Sequence, residues 1–505
     1  MKKINKYIIY TLSTVLLLGI SSCTKFDDLV NPNEMTVDTF WLNESDAIKG
    51  TNAVYASLQR NGTYKKWFWF LTDASSDEGM STSPWTDLSN VSKFTYVDYN
   101  FVVLYETFQD HYRGIFRANQ VLTNVPGISM DETLKNRLLG ETKFIRALLY
   151  YNLVNLWGNV PLATETAVRP NELSGYSQEG IPAIWELIEA DLAFAVENLP
   201  KTYDDANLGR VTWGAAKALL GKAYMQQHKW AEAEVVFEEV INSGLYDLVP
   251  NYRDNFTHYN ENNVESIFEV QFSDEFENTS DQDGSATSSL ACYRSIFLSP
   301  AGWTDIEASS GALNFFQSVA DPRTNASFIY ENDTETYYGV SYAQLQLGAR
   351  AGSQWFRKFS REYYVTQDEE KIWDSPINLR IIRLADVLLL YAEALEHNGK
   401  NAEAEAQITR VRDRVGAGPS PFVGNVSLAK AIEYERILEL CGESVRWFDL
   451  RRLGYFENAT GDNSVATLKS TDPEFNFFNV ETNGYVPIPT KEIDTNSGVE
   501  QNAGW

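Results

Sequence analysis

The sequence predicts a mainly α-helical protein: a scaffold of tetratricopeptide-like helix pairs broken by long irregular insertions that carry a few short strands. Three observations lead there. Apolar residues recur at helical spacing in several segments between residues 45 and 250. Two degenerate copies of the tetratricopeptide pattern follow one another at a distance. Between and after them lie stretches rich in Asn, Ser, Asp, Tyr and Gly. At 505 residues the chain has room for three domains of roughly 150 residues or one large one, and the reading adopted is a single domain over residues 45–505.

The N-terminus reads as an address. Lys2, Lys3 and Lys6 precede an uncharged, mainly apolar run from Tyr7 to Ile20, too short for the roughly 20 residues of a membrane-spanning helix. A basic start and an apolar run of this length make residues 1–22 a secretory leader. It ends in Ile20-Ser21-Ser22-Cys23, which resembles a bacterial lipobox, whose Cys thiol takes a diacylglycerol. Cys23 is therefore the expected lipidation site and residues 23–44 a tether; a buried Cys after an ordinary cleavage site is the other reading. Lys25, Asp27 and Asp28 resemble the acidic export tag of surface-exposed lipoproteins. No other segment approaches a membrane span, so the lipid would be the only anchor.

The scaffold comes next. Residues 45–60 open on Ser45 and Asp46 and continue with helical spacing. Residues 107–125 and 131–157 read as two helices split by Pro126-Gly127, and residues 181–199 as another, stopped by Pro200. The first repeat copy is Leu220-Gly221-x2-Tyr224 followed by Ala233-x3-Phe237; Gly221 and Ala233 let paired helices approach, and Tyr224 and Phe237 fill the seam. Lys217 replaces the consensus Trp and no Pro closes the unit. The second copy is Tyr391-Ala392-x2-Leu395, Gly399 and Ala404-x3-Ile408. Its aligned Ala lies about five repeat lengths from Ala233, so the scaffold is interrupted. Its main parts are residues 45–60, 107–250 and 377–455. Insertions of about 62–106, 250–375 and 456–505, with strand-like runs such as Ser266 to Phe272, form the expected working face, because long irregular segments are uncommon unless functional.

Composition narrows the chemistry. Lys plus Arg total 42 against 69 Asp plus Glu, a net charge of -27 that repels phosphate and leaves nucleic acid an unfavoured partner. Four His and three Cys offer little for metal or thiol chemistry, whereas 13 Trp, 27 Tyr and 27 Phe supply surfaces for stacking. No HExxH, GxSxG or P-loop occurs. Ser427-Leu428-Ala429-Lys430 fits S-x-x-K, but no K-T-G accompanies it and Ser427 is read as a helix N-cap. His228 and His397 fall at repeat turns and are read as solvated. Asp281-Gln282-Asp283-Gly284 lacks the full calcium loop; no metal or cofactor is expected. Cys292 and Cys441 could pair in an oxidising compartment, although Cys441, inside an apolar run, reads more simply as a buried thiol. The charged block Glu435 to Arg452 is read as an internal ion network.

Ordered motifs then carry a family resemblance. Residues 140–162, GETKFIRALLYYNLVNLWGNVPL, are very similar to the hallmark of the SusD/RagB family of nutrient-capturing outer-membrane lipoproteins. Tyr112-x2-Ile115-x2-Ala118-Asn119, the run Arg383 to Ala394, Glu435-Arg436 with Arg446 to Arg452, and Val486-Pro487-Ile488-Pro489 with Gln501-Asn502-x-Gly504 resemble further family blocks in the same order. Phe108, where a Trp is usual, and Cys441-Gly442-Glu443-Ser444, where a Glu-Gly pair is, depart from the pattern. The resemblance implies a SusD-like fold of four helix pairs largely facing a TonB-dependent, SusC-like transporter, with the irregular half holding an oligosaccharide, polysaccharide or sometimes a peptide. It implies capture, not catalysis. No motif rules out glycoside hydrolysis, for which two suitably spaced carboxylates suffice; the resemblance favours binding.

Sugar capture needs aromatic faces and planar polar groups. Loop 73–89 offers Asp77, Glu78 and Trp85, with Trp85 read as a ligand platform or as loop packing. Trp67 and Trp69, in a run of four aromatics, read as core. Tyr293 and Trp303 are the expected partners of Trp85 from the later insertion, and Trp355 and Trp373 stand behind them. The acidic balance favours neutral over polyanionic glycans.

Overall fold

Side chains that satisfy orphaned backbone N–H groups mark where several scaffold helices begin. A computed structural model describes residues 40–166, 176–274, 290–300, 302–332, 334–345, 352–362 and 375–505. In it Asn43 caps the helix Glu44–Tyr55 by accepting from the Asp46 N–H at 3.3 Å, slightly ahead of the Ser45 and Asp46 start that the sequence suggests. Asp131 accepts from the Leu134 N–H (2.8 Å) to open Glu132–Trp157. Ser427 does the same for Leu428–Leu440 through the Lys430 N–H (3.3 Å), the capping role read for it.

Eight helices then pack as successive neighbours: Val102–Asn124, Glu132–Trp157, Ile181–Asn198, Trp213–Gln226, Trp230–Ile241, Leu384–His397, Asn401–Arg414 and Leu428–Leu440. The two repeat copies, far apart in sequence, touch. Helix Trp230–Ile241 packs on Leu384–His397, and the Trp230 ring lies face to face with His397, centroids 4.0 Å apart, with His228 stacked beside it. Gly221 is required at the seam, since a Cβ there would sit 2.3 Å from the Phe237 ring. Helix Val102–Asn124 begins five residues before the expected 107 because Val103 and Leu104 are fully buried. Conversely, the first helix stops at Tyr55 and gives way to tight turns over 56–65. There the Asp110 carboxylate accepts from Arg60 Nε (2.5 Å) and the Gly62 N–H (2.9 Å).

One hydrophobic cluster runs from Ala47 to Val499 and joins scaffold to insertions. Buried ion pairs lace it. Arg436 pairs with Asp449 and Asp386 at 2.8 and 2.9 Å, and Arg452 bridges Glu393 and Asp449. Arg383 reaches Glu265, Glu439 and Glu443 at 2.6–2.8 Å, while Arg323 joins Glu435 and Glu439. Burial alone would raise the Glu439 carboxyl; Arg414, Arg383 and Arg323 hold it well below the usual range. The charged block is thus the internal network its spacing suggests.

The insertions are more regular than expected. They hold short helices such as Thr86–Ser92, Arg294–Leu298 and Ser310–Ser318, and the strands of the described residues pair as two-stranded antiparallel ribbons. Ser266–Val270 pairs with Leu379–Arg383. Gly79–Ser81 pairs with Ile306–Ala308, with Met80 opposite Glu307. Cys292 and Cys441 are buried free thiols, not a disulfide, and burial pushes Cys292 up to about 12. Among the described residues no helix is long and apolar enough to cross a membrane. The leader, Cys23 and most of the tether lie outside the described residues, as do Trp373 and Asp281 to Gly284.

Candidate functional site

The ribbon of Gly79–Ser81 and Ile306–Ala308 brings the early loop to the later insertion. Just past its Ser81 end, Ser83 accepts from the Trp85 N–H (3.2 Å), and Trp85 precedes the helix Thr86–Ser92. The Trp85 ring is 48% exposed and meets Phe101 edge-on at 4.9 Å, so it is propped from beneath yet open to solvent. From the other strand the chain reaches Trp303, half-buried and edge-on to Phe297 at 5.1 Å. Its position follows from Gly302, where a Cβ would lie 2.1 Å from the Ile296 carbonyl, and from the Trp303 N–H donating to that same carbonyl (2.8 Å).

Trp85 and Trp303 line one open cavity of about 360 Å³ with Trp67, Phe297, Lys66 and Asp305. Lys66 Nζ lies 4.4 Å from the Trp67 ring centroid and 5.9 Å from that of Trp303. The Trp67 indole N–H donates to Glu106 (2.7 Å). The size falls in the roughly 300–1,000 Å³ range of small-molecule sites. Aromatic faces with one cation and one carboxylate suit a neutral polyhydroxylated ligand: rings pack on C–H faces while charged groups meet hydroxyls.

Not all four expected ligand residues share this cavity, which corrects the sequence reading. Tyr293 is 2% exposed; its ring lies 5.4 Å from Lys65 Nζ and from Lys66 Nζ, a support behind the cavity rather than a lining group. Asp77 sits past the opposite end of the ribbon, where both its oxygens accept from Arg446 at 2.7 and 2.8 Å; a buried guanidinium has claimed the loop carboxylate. Trp69 is fully buried, as expected of core, and Trp67 is buried while also lining the cavity. Trp355 belongs to a separate small core with Tyr337 and Tyr342. Sequence reasoning missed Lys66, Phe297 and Asp305, whose neighbours Trp67 and Trp303 were the available signal. Among the described residues no group of three or more potential metal ligands occurs.

The fold defines the class: a tetratricopeptide-like helical protein whose insertions carry an aromatic cavity. The chain belongs to the SusD family, whose model matches residues 233–505, while a second family, described as starch-binding and associating with outer membrane, matches residues 25–225. SusD-like protein P25 of Formosa agariphila is 26% identical over 98% of this chain and 97% of its own. A laminarin-binding SusD-like protein of known structure superposes with a TM-score of 0.75 at 31% identity, covering 92% of this chain and all of the other. Surface glycan-binding protein A of Bacteroides thetaiotaomicron, solved with laminarihexaose, gives 0.74 at 20% identity, over 91% of this chain and 99% of the other, a likeness of fold alone.

Proposed function

We propose that the protein is a cell-surface lipoprotein that captures an oligosaccharide or polysaccharide in the Trp85–Trp303 cavity and delivers it to a TonB-dependent, SusC-like transporter in the outer membrane. The observation that carries this reading is the convergence of a half-exposed Trp85 and Trp303 on one cavity in a chain of the SusD family. A β-linked glucan is the first ligand to try, because a relative 31% identical is a laminarin-binding protein. Binding without turnover is supported by the relative 31% identical, a laminarin-binding protein.

The test is calorimetric titration with laminarihexaose and a panel of neutral glycans, followed by an assay for new reducing ends. Binding with no protein-proportional release of reducing ends is expected; sustained release would replace capture with hydrolysis. Lipidation at Cys23 completes the reading. Cys23→Ala is expected to lose radiolabelled palmitate and membrane retention while keeping its fold, and continued labelling would remove the lipobox from the account.

A further inference from the structure

The ribbon has a second cavity at its other end. Beyond Gly79 and Ala308 the chain opens on a space of about 450 Å³, larger than the aromatic cavity and within the roughly 300–1,000 Å³ of small-molecule sites. One wall is aromatic: Phe315 and Tyr434 line it with ring centroids 5.2 Å apart, and Phe422 packs on both. The other wall is a fixed polar network. Arg446, 4% exposed, holds Asp77 through two hydrogen bonds and Glu433 through one at 3.1 Å. Lys430 Nζ donates to Glu433 (2.8 Å), to the Tyr455 hydroxyl (2.7 Å) and to Asn463 Oδ1 (3.0 Å), and the Tyr455 hydroxyl donates to Glu433 (2.7 Å).

We propose that this cavity is a second saccharide site, taking a neutral mono- or disaccharide between the Phe315–Tyr434 wall and the Lys430–Glu433–Arg446 network. Charge selects the ligand class. Lys430 and Arg446 are matched by Glu433 and Asp77, and burial pushes Glu78, which also lines the space, up to about 8, so the cavity carries no net charge at neutral pH. A polyanion or a cation gains nothing there, whereas hydroxyls find the remaining carboxylate lone pairs of Glu433 and Asp77, and the Arg446 N–H groups not spent on them, already held in place. Stacking area opposite planar polar groups is what a pyranose needs. The site goes beyond the capture proposed above, since no residue of one cavity lines the other.

Ligand-observed saturation-transfer NMR with laminaribiose, cellobiose, maltose and mannobiose tests it. The background is Trp85→Ala/Trp303→Ala, in which the Trp85–Trp303 cavity is disabled. At least one disaccharide is expected to retain transfer there. Asn314→Trp, which places an indole at an exposed lining position without touching the buried network, is expected to weaken that binding by about tenfold or more, and Tyr434→Ala to do so by loss of the stacking wall. No transfer from any of the four sugars in that background, or transfer indifferent to both substitutions, would overturn the proposal. The capture reading is scored separately: laminarihexaose binding lost in Trp85→Ala/Trp303→Ala but kept in Asn314→Trp upholds it whatever the second cavity does.

Discussion

The helical scaffold and the insertion face solve opposite problems with similar side chains. In the scaffold, Trp and Arg are hidden: Trp157 and Trp447 are fully buried, and Arg383 and Arg436 are each 1–2% exposed with carboxylates around them. On the insertion face Trp85 is half in solvent, and Lys66 Nζ lies 4.4 Å from the Trp67 ring centroid. The difference separates what a substitution costs. Scaffold changes should be felt as stability, because they strand buried charge or open a void; insertion changes should be felt as affinity.

The sharpest way to break that contrast is Arg383→Met. It removes the cation that Glu265, Glu439 and Glu443 share and leaves them to Arg414, Arg323 and Lys358, and breaking a buried pair from one side costs about 3 to 5 kcal/mol. Chemical denaturation should show that loss; a change below about 1 kcal/mol would mean the network relaxes freely. Trp69→Ala, a fully buried ring within the early insertion, is expected to cost about 3 to 5 kcal/mol as well, so that a buried insertion residue behaves like the scaffold.

Tyr293 and Trp85 sharpen the contrast within the insertion face. Tyr293→Ala should behave like a scaffold change, losing on the order of 3 kcal/mol of stability, because its ring is 2% exposed behind the cavity. Trp85→Ala should shift the unfolding midpoint little. Equal melting temperatures for the two variants would place Tyr293 at the surface, against the structure.

Acidity probes the two regions together. Glu439 and Asp449 are buried carboxylates held well below their usual range by arginines that outweigh burial, so their stabilisation is present above pH ~4 and is lost as pH falls through their folded values. Glu78 moves the other way: burial pushes it up to about 8, and Glu492 and Asp472 up to about 7. Their contribution is complete below pH ~4 and is lost as pH rises through 7 to 8. Stability is therefore expected to be greater near pH 5 to 6 than at pH 8, and to fall again in strong acid. A flat profile from pH 5 to 9 would contradict the burial of Glu78.

Much of the scaffold was legible because its signals are local. Helical period, Gly221 at the seam and Ser427 at a cap are read within a few residues, and the family blocks other than the C-terminal one lie largely on helices. The candidate site was legible only in part. Trp85 and Trp303 stand out as aromatics in polar loops, yet what unites them is a ribbon of three residues per strand, too short to leave an alternating pattern. Asp77 looked like a ligand group because Arg446, 369 positions away, gives no local sign of its claim on it. Lys66 was passed over beside four aromatics, since its place above Trp67 and Trp303 exists only once the insertion folds back.

The central claim, capture on the Trp85–Trp303 cavity, is tested most directly by titrating laminarihexaose into wild type and Trp85→Ala by calorimetry, with melting temperatures recorded alongside. Loss of one aromatic platform removes contact worth about 1 to 3 kcal/mol, so affinity is expected to weaken by roughly five- to more than a hundredfold at nearly unchanged melting temperature. Wild-type affinity retained in Trp85→Ala, and again in Trp303→Ala, would contradict the account and move the ligand off this cavity.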